Sequence, residues 1–223
     1  MNVLLFGATG MVGQGALLEC LDDPDVASVL AVVRKPTGTT HPKLREVLHS
    51  DFTDYSAIEA EMATCEVCLF CLGVSAAGMT EEAYRHITYD YTLAAAKTMA
   101  RLRPDSVFLY VSGEGTDTAE RSRMMWARVK GRTENDLLKL PFKAAYMFRP
   151  GYIQPARGVR SGTPLYQAIY TTVGFLFPVF KAVVPGMVTS SDVVGRAMIA
   201  AVRAGGPSRV IETREINALG AAA

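Results

Sequence analysis

The sequence is poor in the residues that build metal and redox centres. It has three histidines, His41, His49 and His86, and none is spaced to share a metal with another. It has four cysteines, Cys20, Cys65, Cys68 and Cys71. The last three read C-x-x-C-x-x-C, part of an iron–sulfur pattern, but no later cysteine supplies a fourth ligand. Cys65-Glu66-Val67-Cys68-Leu69-Phe70-Cys71 reads instead as a strand, whose period of two points Cys68 away from Cys65 and Cys71. Buried thiols are the reading, no metal is expected, and without a disulfide framework the expected compartment is the reducing cytoplasm. Net charge is also lacking. The 23 basic and 22 acidic residues leave +1, which removes the electrostatic case for nucleic acid. No basic n-region precedes the first apolar run, and that run is too short for a signal peptide. The uncharged stretch from Ser161 to Phe180 contains Pro164, Gly174 and Pro178, so it makes a poor spanning helix and no transmembrane segment is expected. It reads as a buried or pocket-lining helix, with a membrane-surface or partner-facing role as the alternative.

What the chain does have begins at its first residues. Val3 to Phe6 is an unbroken apolar run, as in a strand buried on both faces of a parallel sheet. Gly7-Ala8-Thr9-Gly10-Met11-Val12-Gly13 follows, and then apolar residues at helical period through Leu21. The spacing G-x-x-G-x-x-G is close to the dinucleotide fingerprint. Gly7 suits the turn, Gly10 lets a diphosphate approach the backbone, and Gly13 lets the helix lie on the strand. The first amides of that helix then face the phosphates. A glycine-rich turn with no ligand is the bland alternative.

Strand and helix patterns alternate along the rest of the chain, which predicts an α/β doubly wound parallel sheet, a Rossmann fold in three layers. The length of 223 residues suits one domain, 1–223, with 152–190 as a substrate-side insertion. The second strand, Val29 to Val33, ends in Arg34-Lys35. A carboxylate here would select NAD, whereas cations suit the extra phosphate of NADP, so NADP is favoured over NAD. The third strand and its loop fall on Val47 to Phe52. Asp51, with Phe52 beside it, either meets the adenine edge or caps the following helix, for which Asp54 is better placed. The fourth strand opens into Leu72-Gly73, leaving room for ribose and diphosphate. Helices are expected over Glu81 to Arg103, Arg121 to Leu138 and Val193 to Ala204, the last with a capped start at Thr189-Ser190-Ser191-Asp192. Strands are expected over Val107 to Val111, Ala144 to Phe148 and Val210 to Glu212.

These marks, with Ser112, Lys130-Gly131-Arg132-Thr133-Glu134 and Arg149-Pro150-Gly151, make the chain resemble the short-chain dehydrogenase/reductase superfamily in its atypical or extended, epimerase-like branch, similar to the Tat-interacting protein oxidoreductase. The resemblance implies an NAD(P) cofactor held by Gly7, Thr9, Gly10, Met11, Val12, Gly13, Arg34, Asp51, Phe52, Leu72, Gly73, Lys130 and Pro150. It implies catalytic roles for Ser112 and Lys130, and a homodimer through the two long helices. In that superfamily a Tyr four residues before the Lys carries the proton. Here that position is Trp126, and an indole N–H is no such acid. Arg149 supports the cofactor, caps a helix or pairs with a carboxylate.

Three readings follow. The first is an NADP-preferring oxidoreductase or epimerase-like enzyme acting on an unknown small molecule, with Tyr84, Tyr89 or Tyr152 as a substitute acid, or with hydride passed to a flavin or quinone. The second is an inactive NADP(H)-sensing protein. The third is a membrane-surface or assembly factor that uses residues 161–188.

Overall fold

The computed structural model describes residues 1–159 and 186–222. Seven strands form one parallel sheet in the order β3-β2-β1-β4-β5-β6-β9. They are β1 (Asn2–Phe6), β2 (Ser28–Val33), β3 (Leu44–Leu48), β4 (Val67–Phe70), β5 (Val107–Val111), β6 (Ala144–Arg149) and β9 (Val210–Glu212). β1, β2 and β4 to β6 are apolar runs buried on both faces, the signature that marked them in the sequence. β3 is different. It is an edge strand with exposed Arg45 and Leu48, it pairs Leu44 with Val29, and it starts three residues before the expected Val47 and ends at Leu48, so that most of the Val47 to Phe52 stretch is loop. An edge strand needs no continuous apolar run, so its limits were poorly marked.

The helices lie on both faces. α1 (Met11–Asp22), α6 (Ser191–Ala204) and α7 (Thr213–Ala222) pack Leu17, Cys20, Met198 and Ile216 against Leu5, Leu69 and Leu109. On the opposite face α2 (Glu59–Met62), α4 (Tyr91–Leu102) and α5 (Met125–Leu137) pack Met62, Leu93, Met99 and Leu137 against Leu4, Phe6, Phe70 and Phe108. The layering is that of a doubly wound sheet. Cys68 joins the second core with Cys65, whereas Cys71 packs with the first. Cys68 and Cys71 thus lie on opposite faces, as period two requires, while Cys65, which precedes the strand, shares the face of Cys68. Burial pushes the Cys20 thiol up to about 12 and raises Cys65, Cys68 and Cys71 as well, so these thiols are inert.

Two predicted helices are modified. The first is α3 (Glu81–Arg85) joined to α4 by a π-helical segment, His86–Asp90. The second starts at Met125 rather than Arg121. The Asp117 carboxylate takes the amides of Ala119, Arg121 and Ser122 at 3.0, 2.6 and 2.6 Å, and this turn holds the chain out of helix until Met124. α6 starts at Ser191, two residues before the expected Val193, with Ser190 at its cap position; the Ser190 side chain makes no capping bond, while the Asp192 carboxylate meets the Val193 amide. After β6 the chain makes β7 (Tyr152–Gln154), which pairs in parallel with β8 (Val188–Ser190) in a separate two-stranded sheet. The whole of the uncharged stretch, Ser161 to Phe180, lies between them in sequence and outside the described residues, so the reading of it as a buried or pocket-lining helix does too. No helix among the described residues is long and apolar enough to cross a membrane.

The register decides where a ligand can sit. Phe6 pairs with Val32 and Phe70, Phe70 with Tyr110, and Val111 with Phe148. Gly7, Arg34, Leu72, Ser112 and Pro150 therefore all emerge at one edge, the carboxyl ends of the strands. The strand order reverses between β1 and β4, and open sheets of this kind take ligands at that point.

Candidate functional site

At the reversal, Gly7 turns the chain with φ of 79°. A Cβ there would stand 2.6 Å from backbone atoms of Cys71 and Leu72. Gly13 lies so close to the Gly7 carbonyl that a Cβ would overlap it. The Gly10 amide donates to the Gly7 carbonyl at 2.9 Å, closing the turn. Gly10 caps α1 without any side-chain acceptor, and the first turn of α1 contains no acid. The first intrahelical bond runs from Gln14 N–H to the Gly10 carbonyl at 2.7 Å, so the amides of Met11, Val12 and Gly13 stand at an uncapped, electropositive helix end.

A cleft of about 410 Å³ opens at this turn. Gly7, Thr9, Gly10, Arg34, Phe52, Leu72 and Gly73 border it, brought together from four separate stretches of chain. Ser50, Ile87 and Tyr91 also border it and were not singled out in the sequence. Tyr91 stacks on Phe52 with ring centroids 5.7 Å apart. Ile87 belongs to the π-helical segment, a distortion that the apolar pattern of the long helix does not signal. A Cβ on Gly73 would meet nothing within 4 Å, so this wall faces open space. Arg34 is exposed at the cleft and has no ion-pair partner among the described residues. Asp51 does not border the cleft. Its carboxylate accepts from the amide and hydroxyl of Thr53 at 2.9 and 2.6 Å, which hold it below the usual carboxylate range. Asp54 takes the Ser56 amide at 2.8 Å.

The other half of the edge, at β5 and β6, is built from side chains. Ser112 is buried, and its hydroxyl donates to Glu134 Oε1 at 2.5 Å and to the Phe148 carbonyl at 3.2 Å. Glu134 is 1% exposed and bidentate with Arg149, whose Nε lies 3.0 Å from Oε1 and whose Nη2 bonds Oε2. Arg149 also donates to Thr118 at 2.7 Å and to Glu212 at 3.4 Å. Of the roles open to Arg149, the structure shows the carboxylate pair. Lys130 stands one turn before Glu134 on α5, and its ammonium donates to the Ser112 carbonyl. Burial lowers the Lys130 pKa to about 8, against the opposing pull of Glu134. A Cβ on Gly113 would lie 3.9 Å from both Lys130 Nζ and the Pro150 carbonyl, so Ser112, Lys130 and Pro150 do meet. The Glu114 carboxylate, which the sequence did not suggest, lies against Gly151. The Trp126 ring lies against Gly115, where a Cβ would come within 3.2 Å of Cη2.

The substitute acids fare poorly. Tyr84 is buried, and burial raises its pKa. Tyr89 donates to Asp136 at 2.7 Å and is raised by burial and by that carboxylate. Tyr152 bonds Gln154 at 2.9 Å and is likewise raised by burial.

No protein-family model matches the chain. It is 29% identical over 205 residues to the mitochondrial protein fmp52 of Aspergillus clavatus, covering 89% of this chain and 85% of that protein. Among solved structures it is similar to the Bordetella bronchiseptica enzyme WbmF in complex with NAD+, with a TM-score of 0.67 at 15% identity, over 97% of this chain and 76% of that one. It is also similar to a UDP-glucose 4-epimerase of Thermotoga maritima, with a TM-score of 0.63 at 13% identity, over 91% of this chain and 74% of that one. These likenesses show the fold, an α/β Rossmann-like sheet shared with WbmF and the epimerase. One expectation is overturned. The curated relatives are named as mitochondrial proteins, which contradicts a cytoplasmic assignment. Four thiols without a disulfide do not choose the compartment.

Proposed function

We propose that the chain binds NADP(H) in the cleft at β1, β2 and β4 and uses it as an oxidoreductase of the short-chain type, acting on a small carbonyl compound. The observation that carries the cofactor reading is the Arg34 guanidinium, without an ion-pair partner among the described residues, at the mouth of a cleft whose floor is an uncapped helix end. The helix amides suit a diphosphate, the Phe52–Tyr91 wall suits an adenine ring, and a guanidinium suits a 2′-phosphate bidentately. At the other half, the cofactor would lay its nicotinamide ribose beside Lys130 and its ring beside Pro150. When bound, it would supply a hydride. Isothermal calorimetry on nucleotide-stripped protein tests this reading. NADPH binds more tightly than NADH, and Arg34→Asp weakens NADPH by about 1.5–3 kcal/mol, the range for a hydrogen bond to a charged group, while changing NADH little. Equal losses for both nucleotides count against the phosphate role, and no uptake of either counts against the whole reading.

A second reading, NADP(H) sensing without turnover, is favoured by one observation. The Ser112 hydroxyl is committed to Glu134 rather than left for a substrate oxygen. NADPH that binds and is never oxidised would support it.

A further inference from the structure

If the protein is an oxidoreductase, a proton must reach the substrate oxygen, and the usual donor is replaced by Trp126. Among the described residues the ionisable groups at the β5–β6 edge are few. Tyr84, Tyr89 and Tyr152 are held in other contacts, and Glu134 is spent on Ser112 and Arg149. Lys130 and Glu114 remain. Lys130 sits on the face of α5 that also carries Trp126, four residues earlier, and reaches the end of β5 beside Gly113 and Pro150. Among the described residues its ammonium bonds the Ser112 carbonyl, an acceptor that takes one of its three hydrogens.

We propose that Lys130 is itself the proton donor of the reaction, standing in for the absent tyrosine. This rests on the oxidoreductase reading. A reduced nicotinamide dinucleotide gives a hydride to the carbonyl carbon. The Lys130 ammonium gives a proton to the carbonyl oxygen, yielding the alcohol and an oxidised nicotinamide. The neutral amine then regains a proton from water. Burial makes the ammonium a competent acid, since a lysine lowered to about 8 gives up its proton far more readily than an ordinary one. Among the described residues the charge that faces it is Glu134 on its own helix, with Arg149 of β6 and Glu212 of β9 behind that carboxylate, while Glu114 on the loop after β5 lies against Gly151. Glu134 favours the charged lysine, so the donor is kept loaded at neutral pH.

The test uses the full chain, NADPH, and 4-nitrobenzaldehyde and diacetyl as probe carbonyls. The ¹³Cε resonance of Lys130 in lysine-labelled protein, assigned by its loss in Lys130→Arg, should titrate near pH 8. Reduction needs the ammonium, so the wild-type rate should fall as pH rises through that midpoint. Lys130→Arg keeps the cation but cannot release a proton at working pH. It should bind NADPH within a few-fold of wild type and lose about 100-fold or more in reduction rate. The proposal is overturned if Lys130→Arg reduces the probes as well as wild type, if Glu114→Gln abolishes reduction while Lys130→Arg does not, or if NADPH-loaded wild type reduces neither probe. Failure of wild type to bind NADPH sinks the cofactor reading and this inference together. Binding with unimpaired turnover by Lys130→Arg sinks this inference alone.

Discussion

The two halves of the ligand edge are built on opposite principles. At β1, β2 and β4 the surface is backbone. Glycines hold a turn that no side chain could share, helix amides stand uncapped, and the Arg34 guanidinium has no ion-pair partner among the described residues. At β5 and β6 the surface is made of side chains that already satisfy one another: Ser112 on Glu134, Glu134 on Arg149, Arg149 on Thr118 and Glu212, and Lys130 on a carbonyl. The first half is open to a ligand because its polar groups lack partners. The second is rigid because its groups have them. The difference teaches that substitutions in the first half should act mainly on binding, and those in the second mainly on stability.

The largest effect is expected at the ion pair. Glu134→Gln keeps the shape but leaves the Arg149 guanidinium largely uncompensated in a buried site, where losing one partner typically costs about 3–5 kcal/mol. Glu212 is half-exposed and 3.4 Å away, so it recovers little. Urea unfolding should register the loss, and the double variant with Arg149→Met should win part of it back by removing the stranded charge. If Glu134→Gln unfolds at the wild-type midpoint, the second half is not held by this network. Next comes Gly13→Ala. The added methyl overlaps the Gly7 carbonyl, so α1 must move off the strand. Overpacking of this kind costs about 1–3 kcal/mol, but the glycine turn is displaced as well. NADPH affinity should therefore fall more steeply than stability. A stable variant with unchanged NADPH affinity would mean that the first half does not grip the diphosphate.

The same contrast explains what could be read in the sequence. β5 was legible to the residue, and β1, β2 and β6 within one, because strands buried on both faces are apolar without interruption, while the edge strand β9 matched its expected limits despite its exposed Glu212. The glycine turn was legible because few other sequences satisfy such sterics. Arg34, Leu72 and Gly73 could be placed because they follow buried strands by fixed offsets. Contacts made across long separations were harder to see. Tyr91 reaches the cleft through a π-helical segment whose sequence looks like plain helix, and Glu114 reaches Gly151 by a loop with no period at all. The start of α5 differs because one carboxylate, Asp117, ties up the Arg121 and Ser122 amides, which the pattern assigned to the helix, along with that of Ala119 before it. Ser112 was placed correctly along the chain, yet the direction of its hydroxyl depended on Glu134, 22 residues away.

The smallest expected effect sharpens the boundary of the open half. Asp51 follows Ser50 and precedes Phe52, both of which border the cleft, but its carboxylate turns back to Thr53. Asp51→Asn keeps an acceptor for the Thr53 amide and hydroxyl, so the local turn should survive. NADPH affinity should change by about twofold or less, as for a surface substitution away from any buried feature. The Thr53 bonds hold the carboxyl below its usual range, so in the folded protein it stays ionised to lower pH than in the unfolded chain. Its contribution to folding is present above the ordinary carboxylate range and fades as pH falls through the depressed value. An Asn at this position should erase that acid-side dependence while leaving the nucleotide titration where it was. A large loss of NADPH affinity would instead place the carboxylate on the adenine edge, and the binding half would then owe its recognition to a side chain as well as to backbone.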